Sequence, residues 1–494
     1  MGDAPLVVLI YPRSVTGWQA QPWCDLPLEL LNVATPLVHA GYQVRIIDQR
    51  VDEGWRGRLL AELARTPVCV GVTSTTGPQL RHALEVSRLV KQHSRVPVVW
   101  GGVHASLLPE QTLAEDSIDF VVQGEGEVSF FELVQALVRG ESVAGIPGVW
   151  CKDGACAVSG GQREFIDLDR QPPLAYELVD VPKYTRTVFG TKRLSFSTSR
   201  GCTFPCSYCY NTTFHRRQWR ALSANVAVEH IKDFVSRTSA RGLFLTDANF
   251  FLDMDRARNI LAGVMRETPG LVFSRLHVRL DALLRMSDED LALIERAGCR
   301  CLAVGIASGS ERIQKLLRKP IDGPGLLDAN RRLRRFSIVP LYFFMIGFPG
   351  ETEEDLRATV SLFTRLVREN PRAMKSVNVF TPYPGTALFD LAVSHGFRPP
   401  ARLADWSSLN YRSVASHAAW LPGNLCRLVE MLDFCSFFVG DSSYLKPVKA
   451  THPLVVLLAN LYAPIARKRI ETFTWRWPIE IKLARALGLY GKQS

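Results

Sequence analysis

The sequence predicts an α/β protein in three parts: a doubly wound parallel sheet, a partial (β/α)6 barrel and a helical C-terminal region. Three observations predict it. The first 140 residues alternate strand-like and helix-like segments, roughly six further strand–helix units run from 194 to 380, and the alternation stops after Pro399-Pro400. Such alternation places strands in parallel with helices on both faces. The expected divisions are 1–140 for the first domain, 141–190 for a connector, 191–395 for the barrel and 396–494 for a helical cap.

In the first domain the short apolar runs 6–10, 44–48, 68–73, 96–100 and 120–122 read as strands. Helices are expected at 28–40, 57–64 and 80–92, the first stopped by Gly41. Ligands of such Rossmann-like sheets sit beyond the strand carboxyl ends. Those ends carry Pro12-Arg13-Ser14, Thr73-Ser74-Thr75-Thr76-Gly77, Gly101-Gly102-Val103-His104 and Gly124-Glu125-Gly126-Glu127. Small residues there suit close backbone approach to a large ligand. Gly154, Gly160, Gly161, Pro172 and Pro173 break up the connector, and 149–157 reads as a small hairpin.

Barrel strands are expected at 194–198, 243–245, 277–280, 302–306, 341–346 and 376–380, with helices between them. A barrel of this kind works at its strand carboxyl ends. From 417 onward the chain reads as helices with interspersed Trp, Phe and Tyr.

Hydrophobic residues make up 47% and charged residues 22%, which allows sizeable cores and excludes a disordered chain. The eleven cysteines are odd in number, and the start MGDAPLVVLIYP has no basic leader. Both argue against a disulfide framework and for a reducing cytosol. The nearest approach to a membrane span, 453–466, is too short and holds Asn460 and Pro464.

The net charge is +11, and residues 441–494 hold nine Lys/Arg against three Asp/Glu. Such a tail reads either as a solvated helix face capping the barrel or as a surface for an anionic partner. The apolar run 454–465, followed by Arg467-Lys468-Arg469, Trp475 and Trp477, suits peripheral membrane contact and a lipid-like substrate. Nucleic acid is not an expected partner.

The sharpest signal is Ser199-Arg200-Gly201-Cys202-Thr203-Phe204-Pro205-Cys206-Ser207-Tyr208-Cys209. Thiolates hold cubane clusters. Three cysteines at C-x-x-x-C-x-x-C spacing can bind three irons from one loop, leaving the fourth iron open to a chelating ligand. A zinc knuckle would want a fourth ligand in closed geometry. His215 is near, but at a spacing unlike the common zinc patterns. Cys299, Cys301, Cys426 and Cys435 read most simply as buried apolar residues.

With Tyr208 as the aromatic residue before the third cysteine, the motif resembles that of the radical S-adenosylmethionine (SAM) superfamily. The resemblance implies a 4Fe–4S cluster on Cys202, Cys206 and Cys209. It also implies SAM chelated to the open iron and cleaved by one electron to methionine and a 5′-deoxyadenosyl radical. The electron would come from an external donor such as a flavodoxin or ferredoxin.

The resemblance continues along the barrel. Thr246-Asp247-Ala248-Asn249 matches the element that binds the SAM amino group, and Asp247 and Asn249 supply the acceptors an ammonium needs. Arg279 and Asp281 match the contacts to the carboxylate and ribose. Gly305-Ile306-Ala307-Ser308-Gly309-Ser310 matches the ribose element, with Ser308 a candidate contact, although Ala307 stands where the family usually has Glu or Gln. In Phe344-Met345-Ile346-Gly347-Phe348-Pro349-Gly350-Glu351-Thr352, the backbone of Ile346 and Gly347 would meet adenine. Tyr383-Pro384-Gly385-Thr386 matches a turn of the same subgroup.

The first domain resembles the cobalamin-binding domain of one large radical SAM class. The matching pieces are Leu26-Pro27-Leu28-Glu29-Leu30-Leu31, Gly41-Tyr42-Gln43-Val44 and the two glycine corners at Gly101 and Gly124. This implies a slot for the cobalamin tail lined by Thr73, Ser74, Thr75, Gly101, Gly102, Gly124, Glu125 and Gly126. The D-x-H-x-x-G motif that supplies a cobalt-ligating histidine elsewhere is absent, and His104, a lone histidine, reads first as structural. A doubly wound domain without a cofactor is the plain alternative.

Together the two resemblances imply a cytoplasmic enzyme that methylates an unactivated carbon of a small-molecule or lipid-like substrate. A ring-forming enzyme of the anaerobic magnesium-protoporphyrin monomethyl ester cyclase type is the alternative that shares every motif quoted. A cobalamin-binding sensor is an alternative of another class, against which the intact cysteine loop and SAM elements speak. A methylthiotransferase would need a second cysteine triplet upstream, and the spacing of Cys24, Cys69, Cys151 and Cys156 does not provide one.

Overall fold

The computed structural model describes residues 4–14, 24–154, 156–409, 418–438, 453–474 and 479–486. The apolar runs of the first domain form one sheet: β1 (Leu6–Tyr11), β2 (Gln43–Asp48), β3 (Cys69–Thr73), β4 (Val98–Gly101), β5 (Phe120–Val122), β6 (Val149–Asp153) and β7 (Cys156–Ser159). Its order is β2-β1-β3-β4-β5-β6-β7. The strands from β2 to β5 pair in parallel, and β6 and β7 add antiparallel. Val7, Val8, Val70 and Val98 are fully buried, as strands covered by helices on both faces require.

The second sheet begins with β8 (Arg186–Val188) and β9 (Thr191–Phe196), continues through β12 (Gly242–Leu245), β13 (Val272–Arg279) and β14 (Cys301–Ala307), and ends with β15 (Val339–Ile346) and β16 (Met374–Val379). The order β16-β15-β14-β13-β12-β9-β8 is parallel except at β8, giving an open, curled half-barrel. A separate ribbon of β10 (Ser199–Gly201) and β11 (Trp219–Ala221) brackets the cysteine loop. The stretch expected as a connector therefore extends both sheets, because its apolar residues pair with whichever edge is open.

Buried polar contacts lock the domains. The Leu26 amide donates to Ser195 Oγ at 3.0 Å, the Ala175 amide to Thr35 Oγ1 at 3.0 Å, and Tyr184 Oη to Asp48 at 3.0 Å. Arg193 pairs with Asp25. The start of the expected cap returns to the first domain: Trp406 Nε1 donates to Gln111 Oε1 at 2.6 Å. The helix Gly423–Ser436 packs on β16, where Lys375 Nζ donates to the Ser436 carbonyl at 2.9 Å. Two further helices, Pro453–Thr472 and Ile479–Ala486, follow. Among the described residues no helix is long and apolar enough to cross a membrane. Trp475 and Trp477 lie outside the described residues.

Candidate active site

The three cysteines sit on a loop that is pinned before it reaches them. Gly201 closes the β10–β11 ribbon at φ +77°, and a Cβ there would lie 2.1 Å from the Gln218 carbonyl, so the position accepts only glycine. Asp247, two residues past β12, accepts from the Thr198 amide at 2.8 Å, Thr198 Oγ1 at 2.6 Å and Ser199 Oγ at 2.5 Å. Burial pushes its pKa up and these hydrogen bonds pull it down. They occupy its carboxylate, so its place in the structure is to hold the cysteine loop.

Two cations face the thiols. Arg279, at the end of β13, stacks 3.4 Å from the Phe204 ring centroid, donates to Asp281 at 3.0 Å and reaches within 3.6 Å of Cys206 Sγ. Lys319 is buried, 3.3 Å from Tyr208 Oη, and has no acidic partner among the described residues. A Cβ on Gly305 would come within 2.9 Å of its Nζ, so the ammonium lies over the end of β14. Burial lowers the Lys319 pKa, with Cys206 the strongest opposing influence. Burial likewise pushes Cys202 up, and Cys209 up to about 11. An ammonium buried without a counter-ion is costly and points to an anionic group supplied from outside the chain.

The remaining SAM candidates divide. Asn249 Oδ1 is buried without a hydrogen-bond partner, an acceptor left open where an ammonium is expected. Ser308 Oγ instead pairs with Thr359 Oγ1 at 3.0 Å and accepts from the Ser310 amide at 3.1 Å, so it turns toward the outer helix layer. Beside it, Ala307 takes φ +73°. The Ile346–Gly347 corner is fixed from behind. Glu351 accepts from the Gly347 and Phe348 amides at 2.5 and 3.1 Å, Trp420 Nε1 donates to the Gly347 carbonyl at 2.8 Å, and the Phe380 amide donates to the Ile346 carbonyl at 2.8 Å. The corner is therefore a fixed surface.

A cavity of about 480 Å³ lies between the domains. One wall holds Thr73, Thr75, Gly101, Gly102, Gly124, Glu125 and Gly126; the facing wall holds Ser197, Arg200, Gly201, Tyr210, Thr246 and Tyr383. Gly102 has φ +87°, and a Cβ there would lie 2.6 Å from the Ser74 carbonyl. Ser74 does not reach this space: its Oγ donates to the Gly101 carbonyl at 2.7 Å and accepts from the Ala105 amide at 3.2 Å, holding the glycine corner from behind. His104 also lies away from the cavity, bonded to Thr76 Oγ1 at 3.0 Å and packed edge-on to Trp406. Burial takes its pKa down to about 3, so the ring is neutral.

Glu125 lines the cavity but is paired across the domain boundary. Arg200 reaches Glu125 at 3.1 Å and Glu127 at 2.7 Å, Arg220 reaches Glu125 at 2.7 Å, and Arg200 donates to Asn32 Oδ1 at 2.8 Å. The arginines of the cysteine ribbon are thus clamped by the glycine corner of the first domain. Lys319, Arg220 and this clamp were not legible as site features. Lys319 lies just beyond the helix Glu311–Leu316, and only its burial reveals it.

The donors fit the expected groups. Among the described residues no three His, Cys, Asp or Glu side chains converge on a point that one ion could occupy. A cubane does not ask for this, since its irons occupy separate corners. The cavity's glycine wall offers the close backbone approach a corrinoid needs.

Comparisons agree with this geometry. The profile of the radical SAM superfamily matches residues 196–363, and that of the B12 binding domain matches residues 26–134. The chain is 30% identical to the uncharacterized methyltransferase PH0819 of Pyrococcus horikoshii, over 75% of this chain and 79% of that protein. It is 29% identical to the hopanoid C-3 methylase of Methylococcus capsulatus, over 73% of this chain and 67% of that one. The fold superposes on the radical SAM methyltransferase TsrM of Kitasatospora setae, solved with cobalamin and a 4Fe–4S cluster, with a TM-score of 0.68 at 21% identity, covering 82% and 84% of the two chains.

Proposed function

Because the chain belongs to the radical SAM superfamily and carries its B12-binding domain, we propose that this cobalamin-dependent radical SAM enzyme methylates an unactivated carbon of a small or lipid-like molecule. The observation that carries the reading is the shared cavity: the glycine wall of the first domain and the cysteine ribbon of the barrel line one space of about 480 Å³. A cofactor held there and one held on the adjoining cysteine loop can act on one substrate. When bound, the cluster and SAM supply a hydrogen-abstracting radical and the cobalamin supplies a methyl group.

The residues divide the work. Cys202, Cys206 and Cys209 hold the cluster. Lys319 and Arg279 hold the SAM carboxylate, and Asn249 takes its ammonium. Asp247 keeps the cysteine loop in place, and Tyr208, between two cluster cysteines, positions Lys319. Thr73, Thr75 and the glycines at 101, 102, 124 and 126 admit cobalamin. The Glu125–Arg200 and Glu125–Arg220 pairs keep the two walls in register. No side chain is needed as a general base.

A substrate-free test separates methyl transfer from ring formation. Protein loaded with iron, sulfide and cobalamin is incubated with SAM labelled with deuterium on its methyl group and a strong reductant. Labelled methylcobalamin in the mass spectrum is the expected result. Deoxyadenosine without any labelled methylcobalamin would sink the methyltransferase reading and favour the cyclase type.

The lipid-like side of the proposal draws support from the tail. Leu457, Leu461 and Ile465 share one face of the helix Pro453–Thr472 and are 56%, 65% and 54% exposed, close to the exposed Arg467 and Lys468. Flotation with anionic liposomes should carry the full chain upward, and should fail once residues 450–494 are removed.

A further inference from the structure

Ser207 sits between the cluster cysteines Cys206 and Cys209, and the barrel reaches it from outside. Its amide donates to the Leu317 carbonyl at 3.1 Å, and its Oγ donates to the Leu316 carbonyl at 2.8 Å. The segment ending the helix Glu311–Leu316 is therefore hydrogen-bonded directly onto the cysteine loop. Its side chains sort by direction. Lys319 turns inward and is buried; Arg318, held at φ +51°, and Lys315 turn outward and are exposed.

Neither Lys315 nor Arg318 has an acidic partner among the described residues, whereas the neighbouring Arg312 is already paired with Asp355. Two other approaches to the loop are covered. The first domain closes one side through Arg200 with Glu125 and Glu127. The helix Ala387–Ser394 closes another, with the Leu388 amide donating to the Ser207 carbonyl at 3.0 Å. Exposed Glu311 and Asp390 border the open face.

We infer that this face, Lys315 and Arg318 over the Leu316–Leu317 contact to Ser207, is the docking surface for an acidic one-electron carrier protein with a low-potential flavin or iron–sulfur centre. The inference rests on the reading that the three thiols hold a redox cluster. Seated here, the carrier loses one electron and the cysteine-bound centre gains one, with no proton or bond exchanged. The two Ser207 hydrogen bonds join the face to the loop at the residue next to Cys206 and two residues from Cys209. Complexes of this kind are small and brief, and paired opposite charges set their rate of encounter more than their lifetime.

The test uses the full-length protein with its cluster reconstituted, a reduced flavodoxin as carrier, and the double variant K315E/R318E. The flavodoxin dissociation constant should rise about tenfold or more at low salt, and cluster reduction by flavodoxin, followed by electron paramagnetic resonance, should slow in proportion. Both differences should shrink as ionic strength rises toward about 0.3 M. Reduction by dithionite, which needs no docking, should match the parent, showing that the variant is folded and loaded. The neutral variant K315Q/R318Q should fall between them. A double variant that binds flavodoxin and takes its electrons like the parent would overturn the docking face. If dithionite gives no cluster signal in either protein, the cluster reading itself fails, and the docking face with it.

Discussion

At the carboxyl edge of the first sheet the cofactor wall is mostly backbone. Gly101, Gly102, Gly124 and Gly126 line the cavity, and Ser74 works from behind to hold the corner. At the corresponding edge of the second sheet the wall is made of side chains: three thiols, Arg279, Lys319 and the open acceptor of Asn249. Both edges end parallel strands; the glycine edge lines the cavity, and the second edge meets it through Arg200, Gly201, Thr246 and Ala248. The first accommodates a large ligand by leaving volume empty, whereas the second binds by placing charge and soft donors. A shape-built wall therefore fails when atoms are added, and a chemistry-built wall fails when atoms are removed.

That contrast can be broken with two variants. Cys206→Ala should abolish cluster binding, read as loss of iron, sulfide and the visible absorption band, while cobalamin content stays near that of the parent. Gly102→Val should do the reverse. Its side chain would start 2.6 Å from the Ser74 carbonyl at φ +87°, so the corner must move. Cobalamin affinity should fall about tenfold or more, at a strain cost of about 1–3 kcal/mol, while iron content holds. If either variant loses both cofactors together, the two walls are not independent and the comparison fails.

The same contrast explains what the sequence disclosed. The cysteine loop was legible because thiolate chemistry fixes both residue type and spacing. The strands were legible because burial on both faces demands unbroken apolar runs such as Val7–Ile10. Glycine corners were legible as corners, but Ser74 and Thr73 look alike in sequence, and only one of them faces the cavity. Asp247 and Asn249 stand two residues apart, yet the loop they meet satisfies one carboxylate completely and leaves the other side chain's oxygen bare. Ser308 was read toward the ribose because the pattern around it matched, but Thr359, 51 residues later, holds its hydroxyl. Partnerships across such distances leave no local trace. Of the connector, the hairpin expected at 149–157 forms as Val149–Asp153 paired with Cys156–Ser159, while the sheet edges the segment joins were not known until the sheets were built.

Lys319 sharpens the comparison, because it is chemistry the fold supports at a loss. A buried ammonium without a carboxylate costs stability that an apolar chain of similar length would not. Lys319→Met should raise the melting temperature of the apoprotein by a few degrees and weaken SAM binding about tenfold or more, measured by equilibrium dialysis on protein with its cluster loaded. A variant that melts lower and binds SAM normally would show that the ammonium is structural.

Glu351 lies between the two classes, a side chain used to make a shape. Its Oε2 accepts from the Gly347 and Phe348 amides, while Oε1 is buried without a partner. Burial pushes its pKa from 4.5 up to about 8, against the pull of those two amides. The folded state thus binds this proton more tightly than the unfolded chain does. The stability it contributes is fully present below about 4.5, declines above that, and is gone once the pH has risen through about 8. Glu351→Gln keeps an acceptor for the amides and cannot titrate. Between these limits its unfolding free energy should lose up to one proton's worth of pH slope, about 1.4 kcal/mol per pH unit. Denaturant melts of the two apoproteins at a series of pH values would measure this, and identical slopes would mean that Glu351 is ionised in place. In that case the Gly347 corner would be held by charge, and the barrel wall would be built by chemistry even where it serves only as a surface.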